Sequence, residues 1–169
     1  MAEEDADPPG SGLEITILQR ADAESARTDY FESFLADVAA AAGVDRGEIT
    51  VVLAADREVR QLNRTYRGRD RVTDVLTFPL EGGPRTARAS GDMILATGKV
   101  ARQAAQRHHA VATEFRYLLI HGFLHLRGMD HETDAGEMNE EEYRIRAAVM
   151  PDHPGRVLVR GHLGEECPE

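Results

Sequence analysis

His121-Gly122-Phe123-Leu124-His125-Leu126-Arg127-Gly128-Met129-Asp130-His131 is the stretch on which the reading of this chain turns. Its histidines stand at offsets zero, four and ten, with Gly128 at offset seven. Two histidines four apart on a helix differ by about 40° around its axis and by one turn along it, so both imidazoles reach one point. A glycine then lets the helix end in a left-handed residue, and the chain turns back to deliver a third imidazole. The spacing predicts an open three-histidine metal site on His121, His125 and His131. Zinc is the first choice, and nickel or copper would also suit three imidazoles.

Working outward, Val111–Leu126 carries Phe115, Leu118, Leu119, Phe123 and Leu126 at helical spacing and is apolar on most sides, so the metal helix should be central. Asp134 to Met150 reads as an acidic surface helix with Met138, Ile145 and Val149 inward, stopped by Pro151; Glu137 to Glu142 read as its solvated face. Upstream, Leu13–Leu18 alternates as a first strand, Thr28 to Gly43 reads as a helix, and Ile49–Ala54 is a short apolar run suited to a buried strand. Asp56 is placed to cap a helix ending near Gly68. Val75–Phe78 reads as a third strand stopped by Pro79, Glu81–Ser90 as a loop or hairpin connection, Met93–Ala96 as a fourth strand, and Gly98 to Arg107 as a helix. Strands interleaved with helices, then a run of helices, predict an α+β sandwich. One mixed, four-stranded sheet should pack against helices, with the histidine helix against the sheet.

The chain has 169 residues, enough to bury a core without staples. Residues 1–12, rich in acid, Pro and Gly, read as a disordered tail, 13–150 as one domain, and 151–169 as a loose C-terminal tail. The single Cys167 has no internal disulfide partner, which fits a reducing cytosol. No apolar run is long enough to span a membrane, and the acidic N-terminus is unlike a signal peptide, so a cytoplasmic protein is expected. A net charge of −10 argues against general nucleic-acid binding. The distribution qualifies the sum: Arg57, Arg60, Arg64, Arg67, Arg69 and Arg71 stand against only Glu58 and Asp70, a local +4. A molecule so polarised can bind a polyanion on one face.

Three neutral imidazoles leave zinc its full charge and an open fourth position, where it lowers the pKa of water from about 15.7 to about 7. Structural zinc is usually closed by a fourth ligand and rich in Cys, so the pattern favours catalysis. Asp130 is a candidate fourth ligand but suits a turn better. The offsets also match the metzincin peptidase pattern, with one departure: Gly122 stands where the peptidase needs its catalytic glutamate. A peptidase without that acid cannot readily protonate an amine leaving group. Phosphodiester cleavage chiefly needs charge stabilised on phosphate oxygens, which a metal and an arginine supply.

Leu62-Asn63-Arg64-Thr65-Tyr66-Arg67, then Thr73-Asp74-Val75-Leu76-Thr77-Phe78-Pro79, then Gly91-Asp92-Met93-Ile94, then the histidine stretch occur in one order. In that order they resemble the YbeY family of bacterial rRNA maturation endoribonucleases, from about Leu13 to Met150. Departures are Val72 for a usual proline, Thr77 for serine and Met129 for tyrosine, and none removes a ligand. The resemblance implies a zinc-dependent, single-strand-specific endoribonuclease of small-subunit (16S) rRNA 3′-end maturation and ribosome quality control. Its implied partners are single-stranded RNA and the ribosome or small-subunit assembly proteins. By position it makes His121, His125 and His131 the ligands of one zinc ion and Arg67 the functional arginine, with Arg67 and His121 the catalytic pair.

Asp74 and Asp92 are further candidates for orienting a ligand histidine, with turn or capping roles as the alternative. His108 and His109 read as a solvated helix end; His153 and His162 read as exposed. Two other functions compete with the nuclease: a ribosome-assembly binding factor with a mainly structural metal, and a metal-dependent hydrolase of another substrate such as a peptide.

Overall fold

The computed structural model describes residues 12–20 and 28–152. His153, His162, Cys167 and all of the expected tails except residue 12 and residues 151–152 lie outside the described residues. The element order is β1 (Leu13–Gln19), α1 (Thr28–Ala41), β2 (Gly47–Ala54), α2 (Asp56–Arg67), β3 (Val75–Gly82), β4 (Ala89–Ala96), α3 (Thr97–Gln106), α4 (Val111–Leu126) and α5 (Glu137–Val149). The four strands form one mixed sheet in the order β1-β2-β4-β3. β1, β2 and β4 run parallel, and β3 folds back on β4 as an antiparallel hairpin. The fold is α+β, as the pattern of elements implies.

Period-two alternation splits the strands between two apolar layers. Ile49, Val51, Leu53, Val75, Met93 and Leu95 point to one face, where they join Leu35 and Val38 of α1, Leu118 and Phe123 of α4, and Met138 and Ile145 of α5. Val52, Ala54, Leu76, Ile94 and Ala96 point to the other, where Val59 and Leu62 of α2 cover them. The near-continuous apolar run of β2 follows from this: both its faces are buried. The histidine helix lies on the larger core, with twelve of its sixteen residues buried.

α4 reaches the sheet closely because of Gly122. A Cβ there would stand 2.5 Å from Met93 Sδ and 3.4 Å from the Thr77 methyl. The residue that distinguishes this chain from the metzincin pattern therefore also sits in a close contact of its own fold: a side chain there would require Met93 to shift.

Two expectations are corrected. Pro79 does not end the third strand, which runs on to Gly82 with a register shift between Pro79 and Glu81. β3 is an edge strand, so its proline withholds an N–H on which no neighbour depends, and the bulge absorbs the mismatch. Asp56 does not cap its own helix either; Ala55 occupies the N-cap without a side-chain bond. The Asp56 carboxylate instead accepts from the Lys99 backbone N–H at 3.0 Å and pairs with Arg102 at 2.8 Å, capping α3 across the fold.

Candidate metal centre

The end of α4 brings the three histidines together. Past Leu126 the Gly128 N–H donates to the His125 carbonyl at 2.9 Å and the Met129 N–H to the Leu124 carbonyl at 3.1 Å, with Gly128 at φ +80°. This paired bonding around a left-handed glycine is the Schellman stop, and it reverses the chain toward His131. Asp130 shapes the next turn: its carboxylate accepts from the Glu132 N–H at 2.9 Å, which leaves it a turn former.

One ring nitrogen from each of His121, His125 and His131 lies within 4.8 Å of the other two, and among the described residues no carboxylate or thiol joins the cluster. His121 Nε2 and His125 Nε2 approach to 3.1 Å. Zinc–nitrogen bonds near 2.1 Å at tetrahedral angles put two ligand nitrogens about 3.4 Å apart, so the pair is spaced as co-ligands are. His131 Nδ1 is buried with no hydrogen-bond partner, a situation proteins rarely leave uncompensated. Spacing, donor type and the orphaned nitrogen together fit one transition-metal ion of the zinc class. The ligand set stops at three, so such an ion would keep an open position.

A buried carboxylate completes the centre, on a helix whose acidic run predicts a solvated face. Glu142 was expected on a solvated helix face, yet it is only 5 % exposed, and its Oε2 lies 3.2 Å from His121 Nδ1. A carboxylate only accepts, so Nδ1 donates, and the Nε2 lone pair is left facing His125. Arg146, one turn further along α5, pairs with the other Glu142 oxygen and stacks its guanidinium 4.4 Å over the Tyr117 ring. The usable signal was spacing: Glu142, Ile145 and Arg146 share the face of α5 that carries buried Met138.

Arg67 is the last residue of α2 and makes no hydrogen bond to the histidines among the described residues. Its guanidinium donates to the Thr77 carbonyl of β3 at 2.8 Å and lies 5.6 Å over the Phe78 ring. Because the Thr77 methyl lies against Gly122, one strand residue separates Arg67 from the metal helix. The other candidates fall elsewhere. Asp74 is buried and accepts from the Val75 N–H at 2.8 Å and Gln103 Nε2 at 3.1 Å, tying β3 to α3. Asp92 is exposed on the sheet, paired in register with Thr50. His109 is not a solvated helix end: its Nε2 meets fully buried Glu114, which Arg107 also holds at 2.6 Å. His108 is exposed.

The family model of endoribonuclease YbeY matches residues 14–149. A protein named endoribonuclease YbeY from Halorhodospira halophila is 40 % identical over 149 residues, covering 84 % of this chain and 96 % of its own length. One of the same name from Aromatoleum aromaticum is 36 % identical over 152 residues, covering 89 % and 97 %. The solution structure of TM1509 from Thermotoga maritima shares the fold, with a TM-score of 0.58 over 91 % of this chain and 99 % of that one, at 24 % identity. From residue 14 to residue 149, this chain belongs to the endoribonuclease YbeY family.

Proposed function

We propose that this chain is a zinc-dependent endoribonuclease that cuts single-stranded RNA, acting in the cytoplasm in 3′-end maturation of small-subunit rRNA and in ribosome quality control. The observation that carries the reading is the open three-histidine cluster beside Gly122, in a chain whose relatives are named endoribonucleases. A bound metal would supply Lewis acidity, acidifying the attacking group and neutralising charge on phosphate. His121, His125 and His131 would hold it, and Glu142 would keep His121 in the ligating tautomer. Arg67, with guanidinium donors left over after its bond to Thr77, would hold the scissile phosphate at the β3 edge. The apolar packing of Phe123, Leu124 and Leu126 around the ligand helix would limit water at its inner side.

The peptidase alternative loses ground on geometry. A peptide substrate commonly adds to a sheet edge through backbone hydrogen bonds. Here the β3 edge has its Thr77 carbonyl taken by Arg67, a proline at residue 79 and a bulge beside it. The assembly-factor alternative, with a structural metal, has one favouring observation: His121 and Glu142 link α4 to α5 inside the core.

His121→Ala separates these readings when metal content, circular dichroism and cleavage of an unstructured RNA are followed together. The nuclease reading expects a folded, metal-poor protein whose cleavage falls at least a hundred-fold. A folded, metal-free variant that cuts at the wild-type rate would overturn it, and global unfolding would favour the structural metal.

A further inference from the structure

We infer that Tyr66, braced by Phe78, is the platform on which an unpaired base of the RNA stacks, and that this contact makes the site select single strands. The inference rests on the RNA reading above and adds a recognition site to it.

Tyr66 is 64 % exposed, an unusual state for a large aromatic ring in a chain with a well-packed core. It is nevertheless fixed. Its ring meets Phe78 edge-on, with centroids 5.4 Å apart at 73°. Phe78 is itself covered by the Arg67 guanidinium, which is tied to the neighbouring Thr77 carbonyl. Residues 66 and 67 therefore both pack on one strand aromatic, while the tyrosine leaves a broad apolar surface open. A ring held this way gives up little freedom on binding, so its stacking energy goes largely into affinity.

The surroundings say what the surface meets. Arg57, Arg64, Arg69 and Arg71 are exposed around the same helix and the loop that follows it. Among the described residues none of the four makes a direct ion pair, although Arg64 lies in the field of Asp70, which Arg60 engages at 2.9 Å. Exposed guanidiniums around a braced aromatic are the combination that holds single-stranded nucleic acid: cations follow the backbone, and the ring takes a base. A base in a duplex has both faces covered by its neighbours, but an unpaired base can turn one face to a side chain. Selection of single strands thus follows from one open ring. Phe78 points to the α2 face, opposite Thr77 and the metal helix, so an RNA strand stacked on Tyr66 would pass round the open β3 edge to reach the histidines.

The test is equilibrium binding of a dye-labelled unstructured RNA, and of its duplex, to the full-length protein with a chelator present to hold cleavage off. Tyr66→Ala and Tyr66→Leu should each weaken single-strand binding by roughly ten-fold, with the salt slope and duplex binding unchanged. Tyr66→Phe should bind like the wild type. Arg64→Gln should instead lower the salt slope and weaken both RNAs. Wild-type affinity in Tyr66→Ala or Tyr66→Leu overturns the platform, as does equal loss for single strand and duplex, while the RNA reading survives either result. A wild-type protein that binds neither RNA overturns both.

Discussion

Glu142 and Gly122 show how much of the centre depends on residues that hold no metal. Glu142 is buried against His121, and Arg146 compensates its charge, so its hydrogen bond fixes which imidazole nitrogen carries the proton. Glu142→Gln removes the charge and keeps the shape. It should leave the protein folded, shift the His121 tautomer balance seen by nitrogen NMR of the metal-free protein, and weaken metal binding by about 10- to 100-fold. An unchanged tautomer balance with unchanged affinity would show that the contact is packing alone. At Gly122 the expectation is steric: Gly122→Ala puts a methyl against Met93 Sδ and should destabilise by roughly 1–3 kcal/mol in urea unfolding. Combined with Met93→Ala, itself a destabilising core truncation, the two losses should be less than additive in a double-mutant cycle, because the clash is then gone. The ligands were legible in the sequence because the helical period and a left-handed glycine bring them together within eleven residues. Glu142 was not, because its burial depends on how α5 docks, and its neighbours Glu140 and Glu141 share its chemistry but not its face.

Elements whose ends are secured locally were easiest to read, and those secured from a distance were not. The bounds of α4 follow from its apolar run and Gly128, whereas the start of α3 is held by Asp56, forty-odd residues upstream. Pro79 looked like a strand stop because its effect depends on whether the strand is central or at an edge. Asp134 is a local case. Its carboxylate accepts from the Gly136 and Met138 backbone N–H groups at 3.0 and 2.7 Å, closing the start of α5. The Met138 bond first, and then the Gly136 bond, hold its pKa below the ordinary aspartate value. A depressed folded pKa means the stabilisation is complete above the unfolded value and is lost as pH falls through the folded one. Asp134→Ala should therefore lower the melting temperature of the metal-free protein by a few degrees at pH 7. The gap from wild type should shrink steadily below about pH 4. A gap independent of pH would mean that the carboxylate charge contributes nothing.

Across the molecule, Arg127 and Glu142 are two of the polar ties between the segment carrying the ligands and the rest of the fold. Arg127, buried beside the turn, donates to the carbonyls of Ala42 at 3.3 Å, Pro84 at 2.8 Å and Thr86 at 3.2 Å, joining the end of α4 to the end of α1 and to the β3–β4 hairpin. Glu142 joins the same helix to α5. Arg127→Met should destabilise by roughly 2 kcal/mol and loosen the turn that delivers His131, so metal affinity and stability should fall together. Removing the metal from the intact chain should act differently. The core around Leu118, Phe123, Met93 and Ile145 is fully buried and joins the sheet, α4 and α5 through apolar contacts. The metal-free protein should therefore keep its circular dichroism and unfold cooperatively. Adding zinc at a hundred times its dissociation constant stabilises by about 2.7 kcal/mol, which corresponds to a rise of roughly 5–10 °C in melting temperature. His121→Ala should abolish that rise and, by leaving a buried Glu142 oxygen without its imidazole partner, also lower the metal-free melting point by several degrees. Loss of helical signal on chelation would instead make the ion part of the scaffold, because three imidazoles and one carboxylate would then be holding α4 and α5 together.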